Sequence, residues 1–515
     1  MRACHRHARL LAAVATTTLL AACPTVRVPE LRQAPLTGLS DSGGAPLKVH
    51  LMSGELLVLE TWRDAPGDTG LTGAGLRYDA RRRLAGGFIG TVPRDSVALL
   101  EITRAQTARP AGSVVLGTFT VLMGAVTALC VADPKTCFGS CPTFYLDGDD
   151  RPVAEGFSAS VARVLEATDV DHLAQMAATG RQVAITMRNE ALETHAIRAV
   201  RLLVAPRPAG GRIVHAADGT YFAATDDLPP ATCIAADRDC RAVVAAADGA
   251  EWSTTADRAD LGAPDSVDLV FPGAAGPGGL LVTARQSFVS TYVFYQTLAY
   301  AGSRAGDLLA EVERRGTAAF PGAWAMMRHL SRVEVLAGPT DGALEPVGAF
   351  GEPGPIAADH QVVPLPAALG HAPLRVRLRF TRGAWRFDRL ALARIAPAAQ
   401  PQGLDPTRVE RAGTPEAAAL ARLLDPDRYL ITGPGDAYRL TFDLPRDASE
   451  LEFFLESRGY YYEWMRPEWL REEDPAMLRM IAHAPRAALR RMAPGYARLE
   501  PRLEELFWAS RFGRR

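Results

Sequence analysis

Cys137 and Cys141 stand four residues apart around a glycine in DPKTCFGSCPTFY, and Cys233 and Cys240 stand seven apart in CIAADRDC. Closely spaced thiols serve three kinds of chemistry. Soft thiolates at C-x3-C spacing suit Cu(I). A dithiol redox couple uses C-x-x-C, a spacing this chain lacks. In an oxidising compartment such pairs close as disulfides. Copper delivery at this spacing also needs a distant histidine on a thioredoxin scaffold, and no βαβ pattern flanks the motif. The staple is the preferred reading, with Cys137–Cys141 and Cys233–Cys240 as local bridges. Four cysteines permit three connectivities, so cross-pairing stays open.

Other chemistry-bearing clusters are weaker. NEALETH gathers Glu190, Glu193 and His195, but a zinc helix of the H-E-x-x-H type needs a second histidine, and the setting reads as a polar turn between strands. Asp147, Asp149 and Asp150 in LDGDDR lack the twelve-residue frame and terminal Glu of a calcium loop and read as an ordinary turn. No phosphate-cradling or nucleophile-elbow motif stands between a strand and a helix. Tyr460, Tyr461, Tyr462, Trp464 and Trp469 could form a stacking platform for a glycan or a protein partner. Strand alternation would bury at least half of them, which favours core packing. No catalytic residue, metal or cofactor is expected.

The compartment follows from the first residues. MRACHRHARLLAAVATTTLLAAC places a basic segment before a short apolar run, the layout of a secretory leader over 1–22. Leu20-Ala21-Ala22-Cys23 resembles the bacterial lipobox, which implies that Cys23 is lipidated and becomes the mature N-terminus. One acyl chain binds weakly, at about 0.8 kcal/mol per buried methylene, whereas the three of this modification make a lasting anchor. Pro24 stands where the inner-membrane retention signal has Asp, so the expectation is the outer membrane, facing the periplasm. Residues 23–46, rich in Pro, Gly and Ser, read as a tether.

The positioning elements read as mainly β with some α. Alternation over 47–108 predicts a small barrel or meander. An uncharged stretch, 109–133, predicts an apolar helix; its 20-residue core 113–132 matches a bilayer in length, yet the preferred reading is a buried or leaflet-lying helix. A β-rich domain is expected over 134–275, a helical segment over 276–330, and a β-sandwich segment over 331–400. In LRVRLRF, Arg375, Arg377 and Arg379 alternate with a buried face. A linker candidate opens the C-terminal β segment 401–474, and a helical tail closes the chain over 475–515. Formal net charge is -1 with interspersed signs, so no nucleic-acid surface is expected. Two lysines stand against 55 arginines among the 57 basic residues, the mark of a GC-rich genome rather than of phosphate recognition.

The phrases CFGSCPTFY, NEALETH, ARQSFVSTYVFY and SRGYYYEWMRPEW resemble those of an uncharacterised group of large bacterial lipoproteins that share them in this order. The resemblance implies lipidation and a β-rich multidomain build, and it assigns no activity to any residue. The expectation is a membrane-anchored envelope lipoprotein with a non-enzymatic binding or structural role and an envelope protein or glycan partner. Two alternatives are a periplasmic metal-handling or thiol-dependent protein using Cys137 and Cys141, and a membrane-inserted accessory of a transport or assembly complex.

Overall fold

The computed structural model describes residues 25–32, 47–107 and 141–509, apart from short gaps at 52–54, 66–68, 79–83, 177, 192, 273–277, 352–353, 370–372 and 464–468. The leader, Cys23, the apolar stretch 109–133, Cys137 and Trp464 lie outside the described residues. The chain divides into two compact units, the boundary falling after the sixth strand.

The first unit is one antiparallel sheet. Its strands are β1 (Thr25–Arg32), β2 (Leu47–Leu51), β3 (Leu56–Asp64), β4 (Gly70–Tyr78), β5 (Leu84–Pro93) and β6 (Val97–Thr107). They lie in the order β1-β6-β2-β3-β4-β5. The β2–β5 meander is the expected one, with Leu47, Val49, Leu57, Leu59, Trp62 and Leu71 forming its core. The tether reading of 23–46 is corrected at its start, because TVRVPELR is a strand. It pairs with β6 from Thr25↔Thr107 to Arg32↔Leu100. Its proline is tolerated because β1 is an edge strand, where one face of the backbone needs no donor.

The second unit opens with β7 (Thr143–Leu146), β8 (Pro152–Glu155), β9 (Ala167–His172), β10 (Gln182–Arg188), β11 (Glu193–Pro206), β12 (Gly211–His215) and β13 (Tyr221–Leu228). It continues with β14 (Thr232–Ala235), β15 (Arg238–Asp239), β16 (Pro264–Phe271) and β17 (Gly278–Gln286). Three helices follow, α1 (Val289–Ala301), α2 (Ala305–Arg315) and α3 (Pro321–Leu330). Then come β18 (Arg332–Pro339), β19 (Glu345–Gly351), β20 (Asp359–Pro364), β21 (Leu374–Thr381), β22 (Trp385–Pro397), β23 (Gln402–Leu404), β24 (Arg408–Arg411) and β25 (Thr414–Pro415). The chain closes with α4 (Ala417–Leu423), β26 (Leu430–Thr432), β27 (Ala437–Asp443), β28 (Leu451–Glu463), α5 (Pro475–His483) and α6 (Pro485–Ala509).

The mainly β class, the helical insert and the helical tail match the sequence expectation; the linear domain boundaries do not. β10 pairs with β27, and β11 pairs with β28 along almost its whole length, so 134–275 and 401–474 build the same sheets. One sheet runs β25-β24-β27-β10-β7-β8, and the other runs β23-β11-β28-β9. They face each other across a core containing Val183, Ile185, Val200, Leu202, Phe442 and Phe453. Period-2 patterns fix which face is buried but not which strand lies beside which. The linker candidate is likewise occupied by β23 and β24.

A five-strand ring, β12-β13-β22-β17-β20, follows, closed by a single parallel pair between His215 and Gln361. Beside it lies the sheet β15-β14-β16-β21-β18-β19, sharing with β17 and β22 a core that includes Phe271, Trp385 and Phe387. The LRVRLRF strand obeys its alternation: Leu374, Val376, Leu378 and Phe380 are buried, while Arg375 and Arg377 clamp Asp268 and Arg379 pairs with Glu334. Helices α1, α3, α5 and α6 make a separate apolar layer around Tyr292, Val293, Leu489, Met492 and Phe507. Among the described residues no helix is long and apolar enough to cross a membrane.

Candidate functional site

The cysteines divide. Cys233 on β14 and Cys240 just after β15 are joined in a disulfide, Cα atoms 5.1 Å apart, across the open end of that hairpin. Cys141 is a free, buried thiol just before β7, and Cys137, its expected partner in a local bridge, lies outside the described residues. Cys141 packs in the same buried cluster as Phe144 and Ala154. Burial pushes its thiol up, and the nearby Glu155, Glu193, Glu463 and Asp169 push it further. A protonated, enclosed thiol is a poor nucleophile and a poor metal ligand. The Cys233–Cys240 bridge closes a short loop, and replacing both cysteines by alanine should lower stability by about 2 kcal/mol, read from urea unfolding.

The aromatic run is core, not surface. Tyr460, Tyr461, Tyr462 and Trp469 are buried, which overturns their candidacy as a stacking platform. Tyr460 meets Tyr429 and Tyr462 edge-on, and the Tyr461 hydroxyl donates to the Ser158 carbonyl. Strand β28 is central in its sheet and its sheet is covered, so alternation exposes neither face. Asp147, by contrast, sits in the expected exposed turn and pairs with Arg439.

NEALETH departs from the polar-loop expectation. Asn189, Glu190, Glu193, Thr194 and His195 are all buried, because the chain here leaves one sheet of the sandwich at β10 and enters the other at β11. The amide of Asn189 donates to the carbonyls of Glu193 and Thr432, which fixes the corner. The Tyr145 hydroxyl donates to Glu190 at 2.7 Å, and His195 Nε2 lies 2.9 Å from Glu193 Oε1. A buried corner must satisfy its own polar groups, which explains the crowd of hydrogen-bonding residue types.

Sequence reasoning missed a second buried polar cluster. His172 on β9, His215 on β12, and Asp359 and His360 on β20 meet Glu452 on β28. His172 Nε2 lies 3.0 Å from Glu452 Oε1, and His215 Nε2 lies 3.4 Å from Asp359 Oδ1. His360 Nδ1 lies 2.9 Å from the Thr283 hydroxyl, and the rings of His172 and His360 sit edge to face at 5.6 Å. His172 stacks on Phe454, which also receives the edges of His215 and Tyr221. Burial holds the His172 and His360 imidazoles below their ordinary range, His360 down to about 3. His215 is held up by Asp359 against burial, and Asp359 is held down by His215. No short motif links these residues, which span 280 positions from His172 to Glu452; only strand pairing brings them together. Among the described residues no group of three or more His, Cys, Asp or Glu side chains is placed to hold a metal ion.

No protein-family model and no curated protein matches the chain. Among solved structures, one that is similar is described as the M60 catalytic domain with the CBM51-1 and CBM51-2 domains from Clostridium perfringens ZmpB, at 7% identity and a TM-score of 0.14. The match covers 72% of this chain and 34% of that one, so the chain spans about a third of that protein's length.

Proposed function

We propose that this chain is a membrane-anchored lipoprotein of the bacterial envelope, acylated at Cys23 and facing the periplasm from the outer membrane, and that its role is binding or architecture. The observation that carries the reading is the position of β1, which starts at Thr25, two residues beyond the lipobox cysteine. An anchor fused so closely to a sheet edge holds a folded body at the lipid surface. The interior supports the second half of the reading. The histidine–carboxylate pairs are enclosed and tie strands distant in sequence, as His172 on β9 is tied to Glu452 on β28. Such pairs serve registration of strands more readily than turnover of a substrate. The partner expected for this role is another envelope protein or a glycan.

The test is Cys23→Ser in the native host, with membranes fractionated and the mature N-terminus examined by mass spectrometry. Wild type should carry acyl chains on Cys23 and sediment with membranes, and the variant should shift at least about tenfold toward the soluble fraction. An intact, unacylated leader on the mature protein would overturn the reading. A variant that stays membrane-bound through alkaline extraction would instead favour insertion through residues 113–132.

A further inference from the structure

We propose that the His172–His215–His360 cluster is an acid-sensitive joint that holds the five-strand ring closed and fastens it to the β9–β28 edge of the sandwich. Two weak points of the fold coincide at this cluster. The ring closes through one backbone pair, His215↔Gln361, and both residues adjoin or belong to the cluster. The sandwich meets the ring where the His172 amide donates to Asp359 at 3.4 Å across the seam. An apolar cluster of Leu203, Ala205, Ile213, Tyr221 and Phe454 also spans the seam, and the polar groups beside it see little solvent: His172 is 2% exposed, His215, Asp359 and His360 7% each, and Glu452 2%.

The groups facing the histidines come from every neighbouring strand. Asp169 and Asp171 lie on β9, Arg212 on β12, Tyr221 on β13 and Thr283 on β17. Glu452 and Phe454 lie on β28, and Arg207 approaches Glu452 at 3.4 Å. Asp359 holds His215 toward its charged form, while burial holds His172 toward its neutral form beside Glu452. Protonating His172 and His360 would place two more positive charges 5.6 Å apart, both acting on His215, in a medium where like charges repel strongly. His172 Nδ1 has no partner in the cluster to receive the new proton.

The sign of the effect follows from the directions. His172 and His360 take up protons less readily in the closed form than in an opened one. Their contribution is intact above the ordinary histidine range and is lost as pH falls below about 6.5. His215 works oppositely, its contribution fading only as pH rises through its raised value. Asp171, held up by burial, also works oppositely, since the closed form takes its proton first. Glu452 and Asp359 are held down and matter only in stronger acid. Between neutral and mildly acid pH the two depressed histidines thus act against His215 and Asp171, and in the proposed joint the crowding of the three rings at the closure point decides for opening.

The experiment is hydrogen exchange by mass spectrometry on the full chain, corrected for the intrinsic pH dependence of exchange. Between about pH 7.5 and 5.0, amides of Gly211–His215 and Asp359–Pro364 should lose protection at least about tenfold. The strands Pro264–Phe271 and Leu374–Thr381 should lose far less. In His172→Gln/His360→Asn the selective loss should shrink to about twofold or less. Loss spread evenly over the second unit, no loss, or an unchanged loss in the double variant would each overturn the proposal. Histidine-selective carbon-13 NMR of the wild type gives a check that needs no variant: His172 and His360 rings titrating at the ordinary histidine value in the folded protein would overturn it as well.

Discussion

Arg285→Ala should lower the stability of the second unit by about 3 kcal/mol, because it takes a buried guanidinium from two partly buried carboxylates and leaves them Arg386 alone. Arg285 lies on β17 at the start of the ARQSFVSTYVFY phrase and is 9% exposed. Its Nε and one terminal nitrogen reach Glu251 at 2.6 Å each, and the same nitrogen reaches Glu504 on α6 at 2.5 Å. The other terminal nitrogen donates to the Pro355 carbonyl. The guanidinium thus fastens the ring, a preceding loop and the last helix at one point, and no lysine could reproduce its fork. Urea unfolding followed by circular dichroism reads the loss, and Arg285→Lys should recover less than half of it. A loss under about 1 kcal/mol would mean that Arg386, which also reaches Glu504 at 2.7 Å, carries the joint alone.

Gly383→Val should be comparably damaging, about 3 kcal/mol or more, for a steric reason. Gly383 turns the chain between β21 and β22 at φ +76°, a conformation that side chains resist. A Cβ there would also sit 2.4 Å from the Ala256 nitrogen and 2.5 Å from its Cα, backbone atoms that cannot swing away. The turn is further held by Ser287, whose hydroxyl donates to the Gly383 carbonyl, and by Thr254, whose hydroxyl accepts from its amide. Gly413 supplies the control. It has nearly the same φ, +77°, with open space where a side chain would stand, so Gly413→Ala should cost only about 1 kcal/mol. Thermal unfolding separates the two, and equal losses would show that the close approach of Ala256 is without consequence.

What the sequence disclosed was local. Alternation in LRVRLRF, the Gly383-Ala384-Trp385 turn and the switch from strand to helix after Gln286 are all present as read, because each depends on a few adjacent residues. What it concealed was pairing. Nothing in ETHAIRAVRLLVAP says that its partner begins at Leu451, so contiguous stretches were expected to fold as contiguous domains. The aromatic run pointed to either a surface or a core, and the central place of β28 decides for core. The histidine cluster was unreadable for the same reason, since its members lie on strands that only the sheet order brings together.

The β1–β6 register has a mechanical meaning. Thr25, the first residue of β1, and Thr107, the last of β6, are opposite one another at the same end of an antiparallel pair. Were Cys23 acylated as proposed, tension between that anchor and the rest of the polypeptide would open this ladder like a zipper, one rung at a time, rather than shear all its rungs together. Releasing the eight residues of β1 would pay out about 27 Å of extra line while the β2–β5 meander stayed whole. On the proposed lipoprotein reading, the first strand would act as a slack reserve, letting an anchored body follow a partner that drifts from it without tearing either one loose.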